Sequence, residues 1–443
     1  MTATMAATTA MDPEHPQPAF QFENKVEGNI WRVRRVAQHS GYADGEEFIA
    51  RKVDDFDEYY EAGKYSLGFT TARQRQIKGL MDLLYDHNIG RNIAQIFNHE
   101  NVISLAGYLR QTPFYPKVNA TEDYLVWDIC DAGTLDLQFA DRNSEREPNC
   151  FLPESLCWHV VTSVLRALAW LHDGFRQDID WTTGDAHWTG TDMEWMPILH
   201  RDIGGPSIFF QHPRGVETYG SCKLGKFGNV FVSGVPAERD EMPVAGGSDT
   251  IPDSDGFPLA PRQGYMSLNE LRAQWADYKA TGDKRKRLYT ISDDHWALGA
   301  ALFRMMFGRP LPSLDGCEAC RCIHIRRCAD MNCVDGTSHY GYGCEHRNFE
   351  GCRCPQQCTA QPDFHIDEIL SRLGYSKYLK VAARKLLDYD LENPARSTWE
   401  LCEDIDLLYY AWRKTEDGQA YVDIRDDMRG RFWELNEMTE SVD

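Results

Sequence analysis

The chain has 443 residues, and 68 acidic against 47 basic side chains leave a formal charge of −21. Such a polyanion excludes broad binding to nucleic acid or to an anionic membrane surface, since both carry the same sign. Apolar residues at 42% and aromatics at 12% suffice for a buried core, and no apolar run approaches the ~20 residues of a membrane-spanning helix.

Residues 1–18, rich in Ala, Thr and Pro, read as a flexible tail. They lack the basic start and apolar stretch of a secretory signal, so the expected setting is intracellular, cytoplasmic or nuclear. Phe20 with Phe22, Ile30 to Val33, and Phe48 to Ala50 form three strand-like runs, with a turn signal from Ser40 to Gly45. Residues 72–97 carry helical spacing through Ile77, Leu80, Leu83, Leu84, Ile93 and Ile96, interrupted at Gly90. Two more strands are expected over 102–109 and 124–130. Leu152-Pro153-Glu154 then opens an amphipathic helix reaching Leu171, and further helices are expected at 266–278, 293–307, 375–388 and 397–413. A β-rich first part followed by helices predicts an α+β, two-lobed chain.

Ile198-Leu199-His200-Arg201-Asp202-Ile203 resembles the catalytic loop of eukaryotic protein kinases, and its neighbours fall in that family's order. Phe48-Ile49-Ala50-Arg51-Lys52 resembles the strand whose lysine holds nucleotide phosphates. His99 to Ile103 resembles the segment entering the next strand, and Tyr124 to Leu135 the hinge that accepts adenine. Leu224-Gly225-Lys226-Phe227-Gly228 lies where the family has D-F-G. Asp294-His295-Trp296-Ala297-Leu298-Gly299 resembles the buried helix start whose Asp clamps the catalytic-loop backbone, and Arg396 the late structural arginine. The resemblance covers roughly residues 19–414. It implies an N-lobe at 19–130 and a C-lobe at 131–414, with insertions at 173–197, 229–290 and 315–360 and an extension at 415–443. It also implies that ATP would meet Gly28, Val33, Ala50, Lys52, Asp128, Cys130 and Lys226, with Asp202 as the residual base. Val33 and Ala50 fit ordinary strand packing equally well, and Lys52 could simply pair with an acid.

The chemistry of that family is eroded. Phosphoryl transfer needs magnesium on the phosphates and a carboxylate orienting the hydroxyl. One metal-ligand position is Lys226, a cation, and the other is Ser207; the lysine two residues past the base is Gly204. Val26 and Trp31 replace the outer glycines of the phosphate loop, obstructing close approach of backbone N–H groups. No Glu lies between Glu61 and Glu100 to partner Lys52, though Asp82 or Asp86 could substitute. Trp127, at the gatekeeper position facing the adenine site, would narrow the pocket. Magnesium is therefore doubtful, ATP binding weak, and the expected function that of a scaffold or regulatory pseudokinase. The alternative is an atypical Ser/Thr kinase using Asp202 and Lys52.

Three insertions add features of their own. Trp181, Trp188 and Trp195 recur at seven-residue spacing, which fits local packing better than a recognition comb. Lys284-Arg285-Lys286-Arg287 is a nuclear-localisation signal, a docking patch or, most simply, a solvated charge run. Nine of the fourteen cysteines fall at Cys317, Cys320, Cys322, Cys328, Cys333, Cys344, Cys352, Cys354 and Cys358. Short spacings let one turn supply two zinc thiolates, and the odd count in a chain without an export signal disfavours disulfides. The five-and-four division resembles the pre-SET module, which implies three zinc ions sharing nine thiolates. Two separate four-ligand sites recruiting His324, His339 or His346 are the alternative. The methyltransferase motif that should follow such a module is missing from 359–443. A zinc-held insertion would offer a protein-binding surface over 317–358; neither nucleic acid nor membrane is an expected partner.

Overall fold

A computed structural model of the chain describes residues 19–27, 30–36, 46–52, 99–111, 122–140, 151–180, 183, 186–191, 195, 197–226, 231–233, 245–246, 268–281, 288–309, 327–328, 347–348, 366–388 and 397–431. The chain divides into two compact units, residues 1–131 with 260–264, and residues 132–259 with 265–443. The first is sheet-rich and the second mainly helical, which is the α+β class expected from the order of apolar periods.

In the first unit, β1 (Ala19–Glu27), β2 (Ile30–Val36), β3 (Glu47–Lys52), β4 (Leu105–Gln111) and β5 (Glu122–Asp128) form one antiparallel sheet in the order β1-β2-β3-β5-β4. Period-two alternation drives it. Phe20, Phe22, Val33, Phe48, Ala50, Tyr124 and Val126 gather in one buried cluster. Phe22 meets Tyr124 edge-on at 5.0 Å, and Phe20 meets Phe48 at 5.5 Å. Gly107 on β4 makes room for this packing, since a Cβ there would lie 2.7 Å from the Phe20 ring. The 72–97 helix, Gly28 and the whole 40–45 turn lie outside the described residues.

The second unit opens with β6 (Gly133–Thr134) and α1 (Leu135–Ala140), followed by α2 (Glu154–Asp173). Sequence periodicity expected α2 to be amphipathic; instead it is buried almost all round, including His159, Thr162, Ser163 and Arg166. His159, Thr162 and Arg166 are tolerated there because each finds a partner. Thr162 donates to the Trp158 carbonyl at 2.9 Å, and the Arg166 Nε donates to Gln177 at 3.0 Å. Gly174, at φ 69°, ends the helix by returning its N–H to the Trp170 carbonyl. The hairpin of β7 (Phe175–Ile179) and β8 (Ala186–Gly190) follows. Trp195 then stacks 5.1 Å from Trp170 and donates its indole N–H to the Leu171 carbonyl at 3.1 Å. Local packing thus accounts for Trp195, while Trp181 lies outside the described residues.

Next come β9 (Ile198–Leu199), a 3-10 turn (Gly205–Ser207), β10 (Ile208–Phe210), β11 (Cys222–Leu224), β12 (Phe231–Val232) and β13 (Ala245–Gly246). They lead to α3 (Leu268–Thr281), β14 (Tyr289–Thr290) and α4 (Ile291–Phe307). Asp293 caps α4 by accepting the Thr290 N–H at 2.7 Å. Beyond β15 (Arg327–Cys328) and β16 (Arg347–Asn348), the chain closes with α5 (Ile366–Arg372), α6 (Lys377–Leu386), α7 (Trp399–Arg413) and α8 (Glu416–Gln419). The single helix expected over 375–388 starts only at Lys377. Ser376 caps it by accepting the Leu379 N–H, and the Glu154 carboxylate holds the Ser376 N–H at 2.8 Å. Gly299 lets α4 and α6 approach closely, because a Cβ there would lie 2.9 Å from Leu387 Cγ.

The side chains of all nine clustered cysteines, Lys284 to Arg287, Phe227 and Arg396 lie outside the described residues. Among the described residues, no group of three or more His, Cys, Asp or Glu could hold a metal ion, and no helix is long and apolar enough to cross a membrane.

Candidate functional site

The loop from His200 to Ser207 is held by a buried carboxylate. Asp294, at the first turn of α4, is fully buried and accepts four hydrogen bonds. Oδ2 takes the His200 backbone N–H at 2.8 Å and the His172 Nε2–H at 2.9 Å. Oδ1 takes the Arg201 N–H at 2.9 Å and the Tyr289 hydroxyl at 2.6 Å. Burial alone would raise the Asp294 pKa; the His172 bond and charge, His200 and Tyr289 outweigh it and hold it at about 2. The clamp expected at Asp294 is thus in place, while Tyr289 and His172 were not singled out for it.

Two histidines joined through a threonine back the clamp. Burial lowers His295 to about 3, and its Nε2 is hydrogen-bonded to Thr398 Oγ1 at 2.9 Å. Thr398 Oγ1 is also hydrogen-bonded to His172 Nδ1 at 2.7 Å, and the His172 Nε2–H donates to Asp294. Thr398 is in turn seated by Asp173, whose Oδ2 accepts the N–H groups of Thr398 and Trp399 at 2.6 and 2.8 Å. Burial pushes Asp173 up to about 6 against those bonds and His172.

His200 is buried, and burial lowers its pKa. Its Nε2–H donates to the Gly225 carbonyl at 2.9 Å, and its Nδ1 accepts the Asp202 N–H at 3.3 Å. One neutral ring therefore ties the 200–202 backbone to the stretch carrying Lys226. Arg201 and Lys226 both sit at positive φ, 66° and 65°.

Two candidate positions meet here. The Lys226 ammonium lies 3.2 Å from Asp202 Oδ2, with the side chains 50% and 35% exposed. The lysine at the position where the kinase resemblance implies a metal ligand thus pairs with the aspartate it implies as the base, a contact not expected from the sequence. Ser207 is 1% exposed; its hydroxyl donates to the Gly204 carbonyl and accepts the Gly204 N–H, both at 2.9 Å. The donor proton and one of the two lone pairs of that hydroxyl are used in closing its own turn. An ammonium group and a buried hydroxyl so engaged are a poor fit to a divalent cation, whose ligands are oxygen atoms carrying lone pairs toward it. Gly204 is a different matter: a Cβ there would meet only Pro206 Cδ at 3.7 Å, so no clash excludes a lysine. At Gly205 a Cβ would fall 2.1 Å from Asp136 Oδ1.

The remaining candidates lie in the sheet unit. Val33 and Ala50 are fully buried in its core cluster, the strand-packing role. Trp127 is a correction. It is registered with Ile49, one step from the Ala50–Val126 pair, so alternation sends it to the face opposite Val33 and Ala50. It cannot narrow a pocket lined by those two. Asp128 ties the start of β4 to β5, its Oδ2 accepting the Ser104 N–H at 3.1 Å while its own N–H donates to the Ser104 carbonyl at 3.1 Å. Cys130 is half-buried. Lys52 ends β3, and its side chain lies outside the described residues.

No known family signature matches the chain, and no curated protein matches it. Among solved structures, a chain of the CAK complex from Chaetomium thermophilum bound to ATP-gamma-S is similar at 16% identity, covering 92% of this chain and 94% of that one, with a TM-score of 0.47.

Proposed function

We propose that the chain is a protein-kinase-like domain that has lost phosphoryl transfer and acts as a scaffold or regulatory interaction protein. The observation carrying this reading is the 3.2 Å pair between Lys226 and Asp202. The carboxylate that the catalytic-loop resemblance assigns to orienting a hydroxyl nucleophile is engaged by a cation lying where a metal ligand would be needed. Ser207 supports it, because its hydroxyl is engaged with Gly204. The Asp294 clamp supports a retained loop architecture without the chemistry. ATP, if held, would be held without magnesium, since Lys226 repels a divalent ion yet can donate to phosphate oxygens. The spacing of the nine cysteines between 317 and 358 supports a zinc-held insertion as the partner-binding surface.

The test is a thermal shift with ATP, with and without magnesium, beside a phosphate-transfer assay on zinc-replete protein. The expected result is no magnesium-dependent shift and no transfer. A magnesium-dependent shift with transfer abolished by Asp202→Ala would overturn the reading and establish the active kinase.

A further inference from the structure

The strands that follow Ser207 and precede Lys226 belong to one short three-stranded sheet in the order β11-β10-β6. β10 and β11 pair through three residues, Ile208 with Leu224 to Phe210 with Cys222. One bond from the Gln211 N–H to the Ser221 carbonyl at 2.9 Å extends the pairing toward the tip. At the open end, the Gly225 N–H donates to the Ser207 carbonyl at 2.9 Å. On its other edge β10 pairs with β6, Phe209 with Thr134 and Phe210 with Gly133. The ladder between β10 and β11 ends at Gln211 and Ser221, so the loop over 211–221 is held by other contacts.

That support comes from the end of the chain. The Thr218 N–H donates to the Val422 carbonyl at 2.9 Å, and the Val422 N–H returns to Thr218 Oγ1 at 2.9 Å. The Val216 N–H donates to Asp427 Oδ1 at 3.1 Å. His159 of α2 joins both partners: its Nε2–H donates to the Gly220 carbonyl at 2.9 Å, and its Nδ1 accepts the Tyr421 hydroxyl at 3.0 Å. Tyr421 is 3% exposed, with its ring 6.0 Å from Tyr219 and 5.9 Å from Trp412. The segment is itself anchored, as Tyr409 donates to Asp423 at 2.6 Å and Arg413 pairs with Asp426 at 2.7 Å.

We infer that residues 415–431 are a clasp that positions Ser207 and Lys226 by immobilising the 211–221 loop between β10 and β11. Tyr421 and Asp427 are its positioning residues. They touch neither Lys226 nor Asp202 and act only through the register of β10 and β11. The stretch expected to be a C-terminal extension is, as far as Arg431, a working element of the second unit.

Hydrogen exchange on the full-length protein tests this, comparing amides of residues 205–226 with those of α4. Tyr421→Phe keeps the ring and removes the bond to His159; Asp427→Ala removes the Val216 acceptor. Each should speed exchange across 211–226, the Gly225 amide included, by about tenfold while α4 is unchanged. Tyr421→Ala should add to the effect locally, and if it unfolds the protein the two milder variants decide. Unchanged exchange over 205–226 in both of them, or equal acceleration in α4, would overturn the clasp.

Discussion

Replacing Asp294 by asparagine is the sharpest probe of the loop clamp. The carboxylate takes four buried donors, two per oxygen. Asparagine keeps one oxygen and turns an amide N–H₂ toward the other two donors, so those lose their acceptor. A buried donor left unsatisfied costs about 1–3 kcal/mol, which puts Asp294→Asn near 4 kcal/mol. Tyr289→Phe deletes a single donor to the same carboxylate and should cost about 1–2 kcal/mol. The two are compared by urea unfolding of the full-length protein at neutral pH. A pH series adds a second axis. The Asp294 pKa is lowered from 3.8 to about 2, so its contribution is present above about pH 4 and lost as pH falls through 2. That contribution is about 2 kcal/mol, and Asp294→Asn should lack it. A cost under about 1 kcal/mol, or no larger than that of Tyr289→Phe, would refute the reasoning.

Asp173 runs the opposite way. With its pKa raised from 3.8 to about 6, its contribution is fully present below pH 4 and falls by about 3 kcal/mol as pH rises to 6; Asp173→Asn should flatten that slope in a melting-temperature series. Gly299→Ala should cost about 1–3 kcal/mol by forcing α4 away from Leu386 and Leu387, read by chemical unfolding, and a neutral result would show that the two helices can yield. Reduced, chelator-free protein should carry roughly two zinc ions if the cysteine sites are separate and three if they are bridged; elemental analysis below about one per chain would sink the zinc reading.

Strand alternation and helix periods made most of the fold legible. The runs ending at Phe22, Val33 and Ala50 read as strands because period-two burial leaves a mark on composition. The helix expected from 375 starts two residues later, since the apolar spacing runs back across Ser376 and only the cap bond from the Leu379 N–H marks the start. At the site, the Asp294 clamp was legible from its D-x-W-x-x-G setting. His172 and Thr398 were not, because they lie far from Asp294 in sequence and only the fold brings His172 to its carboxylate and Thr398 to His172; Tyr289, five residues before Asp294, carries no sign in the sequence of the bond it makes. Lys226 could be read as an obstacle to metal, but not as the partner of Asp202; that needs the His200–Gly225 bond joining their backbones. Trp127 was misjudged for a related reason: facing depends on register, and a shift of one residue reverses it.

The left-handed backbone at Arg201 and Lys226 has a consequence for how this domain could change. Conformations of that kind cost a non-glycine residue about 1–2 kcal/mol, and enzymes tolerate the cost where it orients reacting groups. At residue 226 the return is the ion pair with Asp202. Glycine or asparagine would relax the backbone there, and the half-exposed lysine leaves no cavity behind. Residue 226 is therefore where heat resistance and the Lys226–Asp202 pair compete, and selection for robustness alone would erase that pair first.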